Sequence, residues 1–536
     1  MTAAPAYTET TTYRRRWWTL AVLSVSLVII GLDNTILNIA LPTLQREFNA
    51  SASSLQWMVD AYILVFAGLL LTMGATGDRY GRRLALQAGL VIFGLASLFA
   101  AYAQSAEQLI AARAVMGIGG ALIMPSTLSV IVDVFPREER GKAIGIWAGM
   151  AAVGIAVGPV LGGWLLERFW WGSVFFINVP IVLAALVAGM FLVPESRDPE
   201  ATRLDLPGAA LSMGALATLI YAIIEAPARG WLDPFVIAAF AVAFLLSAAF
   251  ILWELRTATP MLDMRLFTRR RFSTGSAAIA LAFLALFGTL FLLTQYLQFV
   301  RGYSAFDAGL RLTPLALGMM AGAANSHRLV ARFGSKLVIA GGLTVIALTL
   351  VALSFLSADT PYWVIATGLV FLALGMANTM APATDAVMGA VPEAKAGVGS
   401  AMNDTTRQVG GALGVALLGS LVNAAYSSTM ADPASALPPA AGDAARNSVG
   451  AAIQVAAQVG GPAGDALRTA AAGAFVDALG AALLVAAAVS FAGALLVLRF
   501  MPARDPAMPI DTTTEDRSAA GALQWGAEGR EAPSAR

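Results

Sequence analysis

The sequence GATGDRYGRR occupies residues 74–83 and joins two apolar segments, 54–76 and 84–103. Its glycines permit a tight turn and a close approach of the flanking helices. The acid and the arginines can cap helix ends or pair with charges on a neighbouring loop. Arginines alone would indicate only an anchor at a membrane surface, but the complete spacing is more specific. The motif consists of Gly74, Gly77, Asp78, Arg79, Gly81, Arg82 and Arg83.

The composition predicts a membrane protein that crosses the bilayer many times. Of 536 residues, 58% are hydrophobic and 12% are charged, with a mean hydropathy of +0.73. A soluble chain of this length could not hydrate such a surface. The net charge of +1 argues against nucleic acid as a partner. The chain has no cysteine and a single histidine, His327, so we expect neither a metal site nor a cofactor.

Fourteen apolar stretches are long enough to cross a bilayer, and mostly short polar links join them, so consecutive helices should be antiparallel. They cover residues 17–41, 54–76, 84–103, 107–132, 143–166, 173–193, 207–226, 234–254, 273–299, 307–331, 336–357, 361–388, 397–421 and 474–500. The first is too long for the apolar part of a signal peptide, so we interpret it as a retained span.

Basic residues concentrate in alternate loops, which fixes the expected orientation. On the side of the N-terminus they are Arg14, Arg15, Arg16, Arg79, Arg82, Arg83, Arg137, Arg140, Lys142, Arg265, Arg269, Arg270, Arg271, Arg328, Arg332 and Lys336. The opposite short loops carry only Arg46, Arg168, Arg229 and Arg301. Because basic loops tend to stay in the cytoplasm, the sequence predicts a plasma-membrane protein with both termini cytoplasmic.

Charged residues inside the spans indicate where protons and substrate bind. Asp33 lies in the first span, where an ionised carboxylate costs about 3 kcal/mol and is rarely retained without a function. Asp60 and Asp404 are further acids within spans, and Arg113 and Arg407 are available partners. Counting from the helix ends places Asp33, Asp60 and Arg113 in one layer of the outer half. The same count places Asp404 and Arg407 nearer the midplane.

Each of these residues also has a purely structural interpretation. Asp33 could form a structural pair with Arg113, which would either hold the bundle together or favour the ionised form of Asp33. Asp60 could cap a helix at the membrane surface, and Asp404 could pair internally with Arg407. We favour binding of protons and substrate for all three acids.

Four more motifs accompany the loop at residues 74–83. LDNTILNIALP at 32–42 resembles a first-helix motif of drug:proton antiporters, and RAVMGIGG at 113–120 a fourth-helix arginine motif. GIAVGPVLGG at 154–163 is similar to their fifth-helix antiporter motif, and NDTTRQVGG at 403–411 to their thirteenth helix. Together these motifs resemble the major facilitator superfamily, and within it the fourteen-span drug:proton antiporters of the multidrug and quaternary-ammonium type.

The resemblance implies an all-α membrane protein of the major facilitator fold, with two pseudo-symmetric six-helix bundles and two extra helices. The bundles would cover 17–193 and 273–500, with the two-helix insert at 207–254. Residues 1–16 and 501–536 would be cytoplasmic tails, and 422–473 an external segment of the second bundle. RFGSK at 332–336 is a degraded copy of the loop motif, since Ala331 stands where Asp78 stands in the first copy.

The fifth helix carries a stripe of small residues. Gly154, Gly158 and Gly162 recur every four residues and let another helix approach closely, while Pro159 interrupts the backbone hydrogen bonds. Ordinary packing would explain this spacing taken alone. With Pro159 and Gly163 included, the resemblance implies a flexible seam that helps seal one side of a transporter.

The leading functional hypothesis is proton-coupled export of amphipathic, cationic or aromatic drugs by a monomer. A dedicated exporter of one secondary metabolite or antibiotic is the alternative. A membrane enzyme is disfavoured because no nucleophile-plus-base constellation is present. A receptor is disfavoured because no sizeable domain lies outside the spans. The partners would be small molecules, protons and the lipid bilayer.

Overall fold

The computed structural model describes residues 11–197, 205–257, 260–391 and 396–502. Every regular element in these ranges is helical. The α-helices are α1 Thr11–Phe48, α2 Ala52–Tyr80, α3 Arg82–Ala101, α4 Ala106–Val134, α5 Arg137–Arg168, α6 Ser173–Phe176, α7 Asn178–Leu192, α8 Leu206–Arg229, α9 Pro234–Arg256, α10 Arg270–Gln295, α11 Ala305–Arg311, α12 Thr313–Leu353, α13 Tyr362–Gly389, α14 Ala396–Thr429, α15 Ala431–Ser435, α16 Pro439–Asn447, α17 Val449–Val459 and α18 Gly461–Phe500. A 3₁₀ turn covers Met264–Thr268, and a π-helical turn, Tyr296–Val300, extends α10.

Twelve helices among the described residues are long and apolar enough to cross a membrane. One of the twelve runs from Ala305 to Leu353, and its backbone leaves helical geometry at Gly334, so it contains two crossings. The helix α5 is not among the twelve, but its 32 residues make it about 48 Å long at 1.5 Å per residue. Counting α5 and the two crossings on either side of Gly334 gives the fourteen spans that the sequence predicts.

The loop motif and its degraded copy adopt related backbone conformations. Gly81 ends α2 with a φ of 126°, and Gly334 breaks α12 with a φ of 80°. Both values lie where side chains other than glycine are strained. In each half of the chain the glycine joins the second crossing to the third, which supports an internal repeat.

The two halves of the molecule pack against each other through two equivalent pairs of helices. We call α1–α7 the first half, α10–α18 the second half, and α8–α9 the insert. The second helix of the first half, α2, packs against α14, the fifth crossing of the second half. In the equivalent contact, α5, the fifth crossing of the first half, packs against α11, which begins the second crossing of the second half. This reciprocal arrangement is what a pseudo-two-fold relation between the halves requires.

Hydrogen bonds between the halves cluster at the end of the molecule away from the arginine-rich loops. Gln45 donates to the Ser448 hydroxyl, and Gln298 Nε2 donates to Ile39 O at 2.9 Å. Gln56 Nε2 donates to the carbonyl oxygens of Val415 and Ala416, at 3.2 and 3.0 Å. We call these three glutamines and their acceptors the amide seal. Near it, the Phe306 N–H donates to Glu167 Oε1 at 3.2 Å.

Two predicted boundaries differ from the structure. Residues 11–16, which the sequence places in a tail, already belong to α1. The helix that contains the last predicted span begins at Gly461, before residue 474, because Gly460 and Gly461 both take positive φ values and let the chain turn directly from α17 into α18. The segment 422–473 is therefore mainly helical, and Ser448 separates α16 from α17 by capping the latter through the Ala451 N–H.

Candidate functional site

The side chains of Asp33 and Arg113 form a buried ion pair between α1 and α4. Arg113 Nη1 lies 2.5 Å from Asp33 Oδ2, and the two side chains are 1% and 0% exposed. Arg113 Nε donates to Met58 O on α2 at 3.1 Å, and its guanidinium lies 4.4 Å from the centre of the Tyr62 ring. Asp33 Oδ1 has no hydrogen-bond partner among the described residues. The arginine thus ties three helices together around one carboxylate.

Glycines on α4 hold Arg113 against α2. A Cβ atom at Gly117 would lie 2.7 Å from Tyr62 O, and one at Gly120 would lie 2.7 Å from the Phe66 ring. These separations are shorter than carbon atoms tolerate, so only glycine allows α4 to approach α2 so closely. The glycines one and two turns beyond Arg113 therefore set the position of its guanidinium.

Asp60 is fully buried and differs from Asp33 in having no partner. Its side chain is 0% exposed, and neither carboxyl oxygen makes a hydrogen bond within the described residues. Asp60 lies one helical turn from Gln56, so it is on the face of α2 that packs against α14. An unpaired carboxylate in such a place would cost several kcal/mol, so the neutral acid is favoured there. Of the two acids predicted to share a layer with Arg113, the structure brings Asp33 into contact with the arginine side chain but not Asp60.

In the second half, Asp404 and Arg407 pair along one face of α14. Arg407 Nη1 lies 3.3 Å from Asp404 Oδ1, with the side chains 23% and 12% exposed. Arg407 Nη2 donates to the Thr384 hydroxyl on α13 at 3.4 Å. A Cβ at Gly410 would lie 2.3 Å from Ala280 O, so the same helix packs tightly on α10. This pair is more open than the one between Asp33 and Arg113.

The glycine stripe of α5 packs on the stretch of α1 that carries Asp33. A Cβ at Gly154 would lie 2.6 Å from Val28 O, and one at Gly158 would lie 2.1 Å from the Thr35 hydroxyl. The Thr35 hydroxyl also lies 3.2 Å from Ile155 O. Close approach by small residues, predicted from the spacing, is thus present around Asp33.

The end of the stripe reaches the other half of the molecule. A Cβ at Gly162 would lie 2.5 Å from the Ile36 side chain, whereas one at Gly163 would lie 2.5 Å from Ala305 O on α11. A Cβ at Gly309, also on α11, would lie 2.1 Å from Pro159 O. The motif therefore joins α1 to the contact between α5 and α11, which lies at the sealed end.

Replacing Gly154 with alanine should destabilise the protein, because the added methyl group meets the backbone of α1, which cannot move aside. We expect a loss of about 1–3 kcal/mol, as for other overpacked interiors. The control is Gly149→Ala on the same helix, where nothing lies within 4 Å of the added Cβ. Thermal unfolding in detergent measures both, and equal melting temperatures would contradict the proposed contact.

The loop motif at the arginine-rich end is held mainly by its own residues. Arg82 Nε lies 2.8 Å from Asp78 Oδ1, and the Arg82 N–H donates to Ser196 O at 2.9 Å. The Arg79 guanidinium lies 5.7 Å from the Tyr80 ring centre, and Arg83 is partly exposed. The prediction was that Asp78 caps a helix end or pairs with a charge on a neighbouring loop, whereas in the structure it pairs with Arg82 of its own loop.

The glycines of this loop allow close packing. A Cβ at Gly74 would lie 3.2 Å from the Pro125 side chain, and one at Gly77 would lie 3.2 Å from the Ser126 hydroxyl, so α2 approaches α4 here as well. At Gly81 a Cβ would lie 2.5 Å from a carboxyl oxygen of Glu195.

Neither the amide seal nor the contact between the Tyr62 ring and the Arg113 guanidinium was identified from the sequence. Gln45, Gln56 and Gln298 lie within or at the ends of apolar stretches, where an amide side chain needs a partner. That signal could have selected them, but it does not reveal which distant residue each amide meets.

Curated relatives share the whole length of the chain. A "Multidrug efflux pump LfrA" from Mycolicibacterium smegmatis is 38% identical over 92% of this chain and 97% of its own. A "Methyl viologen resistance protein SmvA" from Salmonella typhimurium is 36% identical over 90% and 97%. A "Tetracenomycin C resistance and export protein" from Streptomyces glaucescens is 35% identical over 90% and 91%.

Solved structures share the fold. A bacterial homolog of the human lysosomal transporter Spinster, in an inward-facing and occupied conformation, superposes with a TM-score of 0.63 at 18% identity, covering 93% of this chain and 100% of the other. The family model described as Major Facilitator Superfamily matches residues 23–415. These findings confirm the predicted fold and the family resemblance: the chain belongs to the major facilitator superfamily.

Proposed function

We propose that the protein is a proton-coupled antiporter that exports amphipathic, cationic or aromatic drugs through the plasma membrane. The observation that carries this proposal is Asp60, a fully buried carboxyl group without a hydrogen-bond partner among the described residues, one helical turn from the Gln56 that bonds α14. The relatives' names support drug efflux, since they include a multidrug pump and a methyl viologen resistance protein.

Asp60 has the properties of a carboxyl group that exchanges a proton for a cation. Burial favours the neutral acid, whereas access to water or to a cationic substrate favours the carboxylate. In the present conformation Asp60 is fully buried, one turn from the Gln56 that joins α2 to α14, so it would hold a proton. Opening that contact would let the proton leave and a cation take its place.

The pair of Asp33 and Arg113 would have a different part in the cycle. Arg113 already pairs with Asp33 Oδ2. A cationic substrate could bind Asp33 Oδ1, which makes no hydrogen bond among the described residues, and so compete with Arg113 for this carboxyl group. Asp404 and Arg407 would offer a second such pair on the other half.

Alternating access would come from rocking of the first half against the second. With the arginine-rich loops in the cytoplasm, the amide seal closes the external side. Opening the seal would expose the interface of α2 and α14 to the external medium, where protons enter. Each proton that crosses a potential of 100 mV supplies about 2.3 kcal/mol. We propose that one copy of the chain is sufficient for this cycle.

Ethidium transport by everted membrane vesicles tests the proposal. Vesicles that contain the protein should accumulate ethidium when a proton gradient is imposed, and a protonophore should abolish the accumulation. Vesicles without the protein are the control. Accumulation that persists with the protonophore would contradict proton coupling.

If well-folded protein carries neither ethidium nor methyl viologen, a dedicated exporter of one antibiotic becomes the better hypothesis. The name of the tetracenomycin C export protein is the observation that favours this second candidate. Protection of cells against a panel of antibiotics would then identify the substrate.

A further inference from the structure

Two acidic side chains of the insert meet outside the candidate transport site. Asp205 immediately precedes α8, and Glu254 lies in the last turn of α9. They are 8% and 3% exposed. Asp205 Oδ2 and Glu254 Oε1 lie 2.5 and 2.7 Å from the position that a Cβ of Gly208 would occupy, so the absence of a side chain at Gly208 lets these oxygens approach each other.

The remaining oxygens of the two acids already have donors. Asp205 Oδ1 accepts from the Gly208 N–H at 2.9 Å and from Trp253 Nε1 at 2.8 Å. Glu254 Oε2 accepts from the Leu262 N–H at 3.0 Å. Asp205 Oδ2 and Glu254 Oε1 have no donor among the described residues. Two buried oxygens that lie beside the same Gly208 position and lack a donor can both be satisfied by a single hydrogen atom between them.

We propose that Asp205 and Glu254 share one proton and form a second proton-binding site, located in the insert. Two adjacent buried carboxylates repel each other, so one of them retains a proton under conditions in which an isolated acid would lose it. Since Asp205 Oδ1 accepts two hydrogen bonds and Glu254 Oε2 only one, we place the shared hydrogen on Glu254 Oε1, from which it is donated to Asp205 Oδ2. Among the described residues no group of three or more acidic, histidine or cysteine side chains that could hold a metal ion is found, and one oxygen of each acid is already occupied by N–H donors, so we assign the proton as the ligand.

The neighbouring charged side chains do not supply a donor to the two oxygens. At this end of the surrounding elements they are Asp78 and Arg79 on α2, Arg256 on α9, Asp263 just before the 3₁₀ turn, Arg265 in it, and Arg269, Arg270 and Arg271 at the start of α10. The helix α14, which also packs against α8, carries Asp404 and Arg407. None of these side chains donates to Asp205 Oδ2 or Glu254 Oε1, which lack a partner among the described residues.

The shared proton would fasten the linker after α9 to the rest of the molecule. Glu254 Oε2 accepts a hydrogen bond from the Leu262 N–H. The sulfur of the adjacent Met261 lies 3.2 Å from the Thr72 hydroxyl on α2. Thr72 is less than one turn from Gly74, where the loop motif begins. Removal of the proton would place two negative charges together and release the linker from the end of α2.

Cysteine labelling in an otherwise cysteine-free chain tests this site. Met261→Cys places the reporter on the linker, and its rate of reaction with a maleimide is compared with and without Glu254→Gln at the same pH. The glutamine amide donates permanently to Asp205, so it imitates the protonated acid. We expect equal rates near about pH 6 and several-fold faster labelling of the parent near about pH 9, where the shared proton is lost.

The controls separate this effect from a general loss of structure. Glu225→Gln changes an acid at the other end of α8 and should leave the pH profile of the parent unchanged. Asp205→Asn retains the helix cap and can donate to Glu254, so it should suppress the pH dependence in the same way as Glu254→Gln. A pH profile that is the same in the parent and in both amide variants would overturn the proposal.

A second readout does not depend on the linker. The infrared spectrum should contain a carboxylic acid band that disappears on Glu254→Gln, measured in the Asp60→Asn background to remove the buried acid of the transport site whose two oxygens both lack a hydrogen-bond partner among the described residues. Persistence of the full band in that variant would likewise overturn the shared proton.

Discussion

Replacing Asp60 with asparagine is expected to reduce proton-driven ethidium export to the level of vesicles without the protein. The amide has nearly the shape of the protonated acid but cannot release a proton. Because neither oxygen of Asp60 has a hydrogen-bond partner in the described structure, the change removes no bond. The variant should therefore fold normally, and the measurement is ethidium accumulation under an imposed proton gradient.

The control for this variant is Asp465→Asn, at an exposed site near the start of α18, which should export as the wild type does. A second assay tests whether Asp60 also holds the substrate: because a cation takes the place of the proton on Asp60, exchange of labelled cationic substrate across the membrane without a gradient should be lost in Asp60→Asn. Full proton-driven export by Asp60→Asn would remove Asp60 from the mechanism.

The ion pair of Asp33 and Arg113 should show a large effect on stability that is distinct from its effect on transport. Removing either charge leaves the other buried and unpaired, so Asp33→Asn and Arg113→Met should each lower the free energy of unfolding by about 3–5 kcal/mol. The double variant Asp33→Leu, Arg113→Met removes both charges and should recover most of that loss. Export should be absent in both single variants and in the double variant.

Denaturation by SDS in mixed micelles measures the free energies of unfolding for this comparison. The exposed pair of Glu225 and Arg229 provides the control, since its N–O distance is 3.5 Å and its removal should cost less than about 1 kcal/mol. If the double variant recovers both stability and export, the pair is only a structural element. If the single variants lose no stability, the pair is not closed in the membrane.

The sequence predicts the fold well because the features that determine it are local or repeat along the chain. The apolar stretches define the crossings, and Gly81 and Gly334 carry the same unusual backbone conformation in the two halves. The stripe at Gly154 and Gly158 predicts a close helix contact, which the structure places against α1. The partner helix could not be predicted, since the spacing describes only one of the two surfaces.

The candidate site is predicted in part for a related reason. Asp404 and Arg407 are three residues apart on one helix, so their pairing follows from helix geometry. Asp33 and Arg113 are 80 residues apart, and their contact was one of two interpretations that the sequence left open. Asp60 was expected in one layer with Arg113, but Met58 and Tyr62 of α2 contact that arginine, and helix geometry turns Asp60 away from them, toward the face of Gln56. Its isolation depends on how the two halves meet.

The amide seal has a consequence for how the transporter responds to its surroundings. Gln45, Gln56 and Gln298 do not titrate, and their acceptors are backbone carbonyls and hydroxyls. Apart from the bond to Glu167, the strength of this closure should therefore be independent of external pH and nearly independent of salt. Each such bond is worth only about 1 kcal/mol, so thermal motion can open the seal readily. The closure formed by the amide seal is therefore neutral and easily opened. The sensitivity of the molecule to protons resides instead in its buried carboxyl groups.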